Sequence, residues 1–249
     1  MKKFIQVIIL IYLVSCKNKK EDQPGLCLSF DDRYIKEWFE MSDLLDKYDA
    51  KVTFFVSRFD SLTSPEIDML KELQGRGHEI ASHGAMHVNS KIYIKEHSYK
   101  EYLKNEIDQS ISSMGKKGFH PKSFAYPYGA KYWFTDFLLL KKFEVLRGVT
   151  AINKEKDISM INSIYYNYGD QTVSALGIDM NSALTKKMLK DGIKRAADKN
   201  EILLLYGHVP AKDATIHPYK FDIDLLEFIL IEAKKNNLKH FKISELAID

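Results

Sequence analysis

Two adjacent carboxylates, Asp31 and Asp32, close an apolar run, and further along two imidazoles stand four positions apart in His83-Gly-Ala-Met-His87. One carboxylate and two imidazoles can hold a divalent ion while leaving a coordination position open, as catalytic sites do and closed structural sites do not. Carboxylate with imidazole is a donor set that suits zinc. The second carboxylate has no ligand duty, so it is placed to act as a base toward water activated at the ion. A single histidine is more often a core or surface residue; two at this spacing together with the Asp pair point to metal-assisted hydrolysis.

These residues need a scaffold that brings them together. Leu26–Phe30 reads as a strand and 35–48 as an amphipathic helix, followed by a strand at 51–56 and a helix at 65–74 that Ser64 would start. Glu79–Ser82 reads as a strand, 99–114 as a helix and 123–126 as a strand. A helix at 134–142 and a strand at 145–151 come next, with weaker strand patterns at 163–168 and 173–178. A helix at 183–197, a strand at 202–206, a helix at 223–235 and a strand at 239–243 complete the chain. Alternation of this kind implies a parallel sheet. Seven or eight units in about 225 residues suit a closed or distorted barrel, whose chemistry sits at the C-terminal ends of the strands. Asp31, Asp32, His83, Tyr128 and His208 all fall at such ends.

From Gly25 to about Ala247 the chain resembles the polysaccharide deacetylase family, carbohydrate esterase family 4 or the NodB-homology domain. The resemblance rests on Ser29-Phe-Asp-Asp32, His83-Gly-Ala-Met-His87, Phe124-Ala-Tyr-Pro-Tyr-Gly129 and Leu204-Leu-Tyr-Gly-His208, in that order. It implies a distorted (β/α)-barrel of about seven strands, metal ligation by Asp32, His83 and His87, and Asp31 as catalytic base. Capping of the following helix is the alternative reading for Asp31. It further implies that the backbone N–H of Tyr128 helps hold an oxyanion and that His208 protonates the leaving group. Three positions depart from the family pattern. Ala125 stands where many members carry Arg, with Arg147 the candidate substitute; Asp179, followed by Met180, stands for the fourth motif; and Arg33 replaces a Gly. The implied activity is removal of acetyl from an N- or O-acetylated glycan with a divalent metal, zinc by preference. A small-molecule amide or ester hydrolase and a decayed glycan-binding protein are the rivals. Elsewhere, His78, His97, His120 and His240 read as surface residues, and Tyr165, Tyr166 and Tyr168 as a strand or a sugar-stacking platform.

The ends and the bulk properties set the context. Residues 1–15 have a cationic start and a short apolar core, the pattern of a signal peptide rather than a membrane span. Leu13-Val-Ser-Cys16 resembles a lipobox, so lipidated Cys16 is the expected anchor to a bacterial envelope, with the outer membrane as the expected site; an ordinary secretory signal is the alternative. Residues 16–24 read as a tether and 25–249 as one catalytic domain. Lipidation of Cys16 leaves Cys27 without a disulfide partner. With 45% apolar residues and 12% aromatics the chain can bury a sizeable core. A net charge of +3 from 37 basic and 34 acidic residues shows no basic face for nucleic acid, and oligomeric state is left open.

Overall fold

The computed structural model describes residues 23–151, 157–166, 168–214 and 217–247. The signal peptide, Cys16 and most of the tether lie outside the described residues. Strands run at β1 (Gly25–Asp32), β2 (Thr53–Val56), β3 (Glu79–Ser82), β4 (Ser123–Ala125), β5 (Val145–Thr150), β6 (Tyr165–Tyr166), β7 (Thr172–Gly177), β8 (Ile202–Gly207), β9 (Val209–Ala211), β10 (Lys220–Asp222) and β11 (Lys239–Phe241). Helices are α1 (Ile35–Lys47), α2 (Ser64–Gly75), α3 (Ser90–Glu96), α4 (Tyr99–Tyr102), α5 (Gln109–Gly115), α6 (Trp133–Leu139), α7 (Lys186–Lys199) and α8 (Ile223–Lys235).

Seven parallel strands close on themselves in the order β1-β2-β3-β4-β5-β7-β8, with β8 pairing back onto β1. Closure explains why β1 and β2 are buried almost throughout: helices cover the outside and packed side chains fill the inside. Alternation along β1 sorts the faces. Leu26, Leu28 and Phe30 point outward and pack with Trp38, Met41 and Leu45 of α1. Cys27 points into the barrel among Phe55, Ala81, Ala125 and Ala175, and is a free, buried thiol. At the N-terminal end β11 pairs with Gly25–Cys27, and Phe241, Ile243 and Leu246 fill the floor. The opposite end is open, and that is where the strand C-termini gather.

Three local expectations change. Helix α2 is capped by Thr63, whose side chain and Glu66 form a capping box; Ser64 is already helical. His78 is buried, 3% exposed, with its Nδ1 accepting the Val52 N–H and its ring edge-on to Phe54. Tyr165 and Tyr166 are buried as well, and their hydroxyls donate to the Ile158 and Leu246 carbonyls, so neither offers a face to a sugar. Only two residues there form a strand, antiparallel to β8.

Candidate active site

At the open end a cleft of about 670 Å³ is lined by Asp31, Asp32, His83, His87, Tyr128 and His208, together with tyrosines from four other positions. Its depth follows from strand length: Asp31 is still inside β1, whereas Asp32 ends the strand with φ +86. His83 directly follows β3, and His87 takes φ +61 in the loop before α3. Tyr128, at φ +60, occupies the turn after β4. Left-handed conformations cost a residue with a Cβ roughly 1–2 kcal/mol, and three of them ring this cleft.

Asp32, His83 and His87 form the metal-type cluster found among the described residues, their donor atoms lying within 4.8 Å of one another. Asp32 Oδ1 stands 3.0 Å from His87 Nε2 and 3.7 Å from His83 Nε2. Ligands about 2.0–2.1 Å from a tetrahedral zinc ion lie about 3.3 Å apart, so the three donors fit such an ion. The tautomer fits too. His83 Nδ1 lies 2.8 Å from the Ala125 carbonyl, which can only accept, so Nδ1 carries the proton and Nε2 faces the cleft with a lone pair. Burial holds the His83 pKa down to about 4, which keeps the ring neutral and able to ligate. Burial alone would raise the Asp32 pKa, but the hydrogen bond to His87 and the nearby His83 bring it to about 2.

A second carboxylate lies beneath the cluster. Asp31 is 3% exposed, and both its oxygens accept from Nη2 of Arg147. Arg147 is fully buried, with its guanidinium between the rings of Phe55 and Tyr206. It comes from β5, where it is the cross-strand partner of Ala125 on β4. An arginine moved one strand sideways at the same level therefore reaches the place the Ala125 position would have served. The N-terminus of α1 is at Tyr34, which has no side-chain cap, so Asp31 does not cap that helix.

His208 closes the other side. Its Nδ1–H donates to Asp179 Oδ2 at 2.6 Å, and Asp179 Oδ1 accepts the His208 N–H at 3.0 Å. Trp38 of α1 donates through Nε1 to the His208 carbonyl at 2.8 Å, pinning the backbone from behind. Burial would lower the His208 pKa, but the bond to Asp179 and the charges of Asp31, Asp179 and Asp32 raise it above the usual histidine value. Nε2 is thus left toward the cleft on a ring that holds its proton well. Nothing in the sequence singled out Trp38; an indole on an amphipathic helix reads as core, which it also is.

The polysaccharide deacetylase family model matches residues 18–141 of this chain. The chain belongs to the polysaccharide deacetylase family. It is 31% identical over 103 residues to a peptidoglycan-N-acetylglucosamine deacetylase of Bacillus cereus, covering 41% of this chain. The chain spans only 36% of that relative's length. Among solved structures it is similar to the peptidoglycan deacetylase of Bacillus subtilis (TM-score 0.55, 18% identity, covering 90% of both chains). It is also similar to the chitin deacetylase of Colletotrichum lindemuthianum (TM-score 0.59, 17% identity, 91% of this chain and 89% of the other). These structures share the barrel fold over nearly the whole described chain.

The stretch matched by the polysaccharide deacetylase model carries Asp31, Asp32, His83, His87 and Tyr128, whereas Arg147, Asp179 and His208 lie beyond it. The departures from the family pattern resolve structurally. Arg33, in the place of a Gly, turns away from the cleft to donate to Ser61. Met180 is 45% exposed beside Asp179. His217 and Tyr219 line the cleft, with the Tyr219 ring edge-on to His208 at 5.4 Å. His97 and His120 are exposed, while His240 is half-buried.

Proposed function

We propose that this chain is a divalent-metal-dependent deacetylase of an acetylated glycan, with zinc as the fitting ion. The observation that carries the proposal is convergence in one cleft: three metal-type donors, an arginine-paired carboxylate below them and a carboxylate-paired imidazole across from them. An ion held by Asp32, His83 and His87 would act as a Lewis acid toward water and the acetyl carbonyl. Asp31 takes the proton from the attacking water, with the Arg147 guanidinium aiming its carboxylate. The Tyr128 N–H donates to the oxyanion in this reading. His208 gives a proton to the departing nitrogen or oxygen, and Asp179 stabilises the imidazolium and fixes its tautomer. Acetate and the free amine or alcohol leave.

The name of the Bacillus cereus relative supports an N-acetylglucosamine polymer as substrate, and the tyrosines that line the cleft suit a neutral sugar. Purified chain is expected to release acetate from chito-oligosaccharides faster than from acetylated xylan. The opposite ranking would move the reading to an O-acetyl esterase, and release from neither by zinc-loaded chain would overturn it. Export and anchoring through lipidated Cys16 are part of the same proposal.

A further inference from the structure

A buried carboxylate from a separate helical segment bonds the loop that carries His87 on both sides of that residue. Glu106 belongs to Leu103–Asp108, a π-wound segment that joins α4 to α5. It is fully buried. Its Oε2 accepts the Met86 N–H at 2.6 Å and its Oε1 the Val88 N–H at 3.0 Å, the two amides that flank His87. Its main-chain carbonyl accepts the Ala85 N–H at 3.0 Å. Packing is as close as backbone allows: a Cβ built on Gly84 would lie 2.0 Å from Glu106 Oε1. Single π turns inside α-helices recur at functional sites, where the extra residue redirects a side chain. Here the redirected side chain is the one that satisfies this loop.

His87 needs such support, because its left-handed backbone is one an isolated loop would leave. We propose that Glu106 is a positioning residue of the metal site, its carboxylate holding the His83–His87 loop in the conformation that turns His87 toward Asp32 and His83. The inference rests on the metal-site reading above. A glutamine in its place offers one acceptor oxygen where two are used, and its NH₂ arm cannot accept an amide proton.

The test is zinc affinity, measured by competition with chelators of graded strength, for the wild-type chain, Glu106→Gln, His87→Ala and the double variant. Glu106→Gln is expected to weaken zinc binding about 10- to 100-fold, the usual effect of removing a group that orients a ligand. In the His87→Ala background the same change is expected to cost less than about threefold, because its effect acts through His87. A loose structural role would give equal losses in both backgrounds, and that result overturns the proposal, as does a Glu106→Gln affinity within about threefold of wild type. Should Glu106→Gln fail to melt cooperatively, Glu106→Asp, which keeps the charge but shortens the reach, is read by the same two criteria. Wild-type chain that binds no zinc would sink the metal reading and this inference together. Zinc bound equally by wild type and variant sinks this inference alone.

Discussion

Alternation along β1 sends the Asp31 carboxylate into the barrel against Arg147 and leaves Asp32 at the strand end against His83 and His87. One position of sequence thus separates a buried, arginine-paired carboxylate from one that faces two imidazoles at the cleft. The imidazole across from them is tuned in the other direction, since Asp179 favours its protonated form. A general acid must be protonated to act, so its contribution is full at low pH and lost as pH rises through the raised His208 pKa. Asp179→Asn removes the largest raising influence, so the alkaline limb of the kcat profile should shift to lower pH. At its optimum the variant should fall about 10²- to 10⁴-fold, the range for general acid catalysis. An unshifted limb in a folded variant would assign that limb to another group.

Positions of the motifs were legible at the scale of elements because each sits where an apolar run stops, and short apolar runs alternating with helical patterns are consistent with buried parallel strands. Less was legible where tertiary contacts decide. Helix α3, the short β9–β10 pair and the π turn at Leu103–Asp108 have no periodic signature strong enough to announce them. Glu106 was missed for the same reason, since a Glu on an amphipathic helix reads as solvent-facing until its partners at Met86 and Val88 are seen. Arg147 was suspected only because Ala125 left a role unfilled; the in-register pairing of the two residues supplies the reason. That pairing makes a prediction about strands rather than residues. Arg147→Ala leaves Asp31 buried without its cation and should lower unfolding free energy by about 3–5 kcal/mol in urea titration, along with kcat. Adding Ala125→Arg should recover part of the lost kcat. No recovery in a folded double variant would mean that the strand of origin matters more than the level in the barrel.

Across the whole molecule the two ends of the barrel divide the labour. The floor holds Pro24, whose carbonyl accepts the Lys239 N–H, and the cleft lies beyond the C-terminal end of β1. Eight residues of strand put these roughly 26 Å apart. A chain tethered through Cys16 would accordingly hold its floor toward the membrane and its cleft outward, toward a polymer. Among the described residues no helix is long and apolar enough to cross a membrane. Cys16→Ala is expected to move the protein from the membrane fraction to the soluble fraction with kcat/KM on a soluble oligomer unchanged; retention in the membrane fraction would contradict lipid anchoring. The central claim is metal-dependent deacetylation, and acetate release from a chito-oligosaccharide by chelator-stripped chain, before and after addition of one equivalent of zinc, tests it most directly. The account predicts that stripping abolishes release, that zinc restores it, and that zinc-loaded Asp31→Asn stays inactive. Full release by the stripped protein, or wild-type release by zinc-loaded Asp31→Asn, would contradict it.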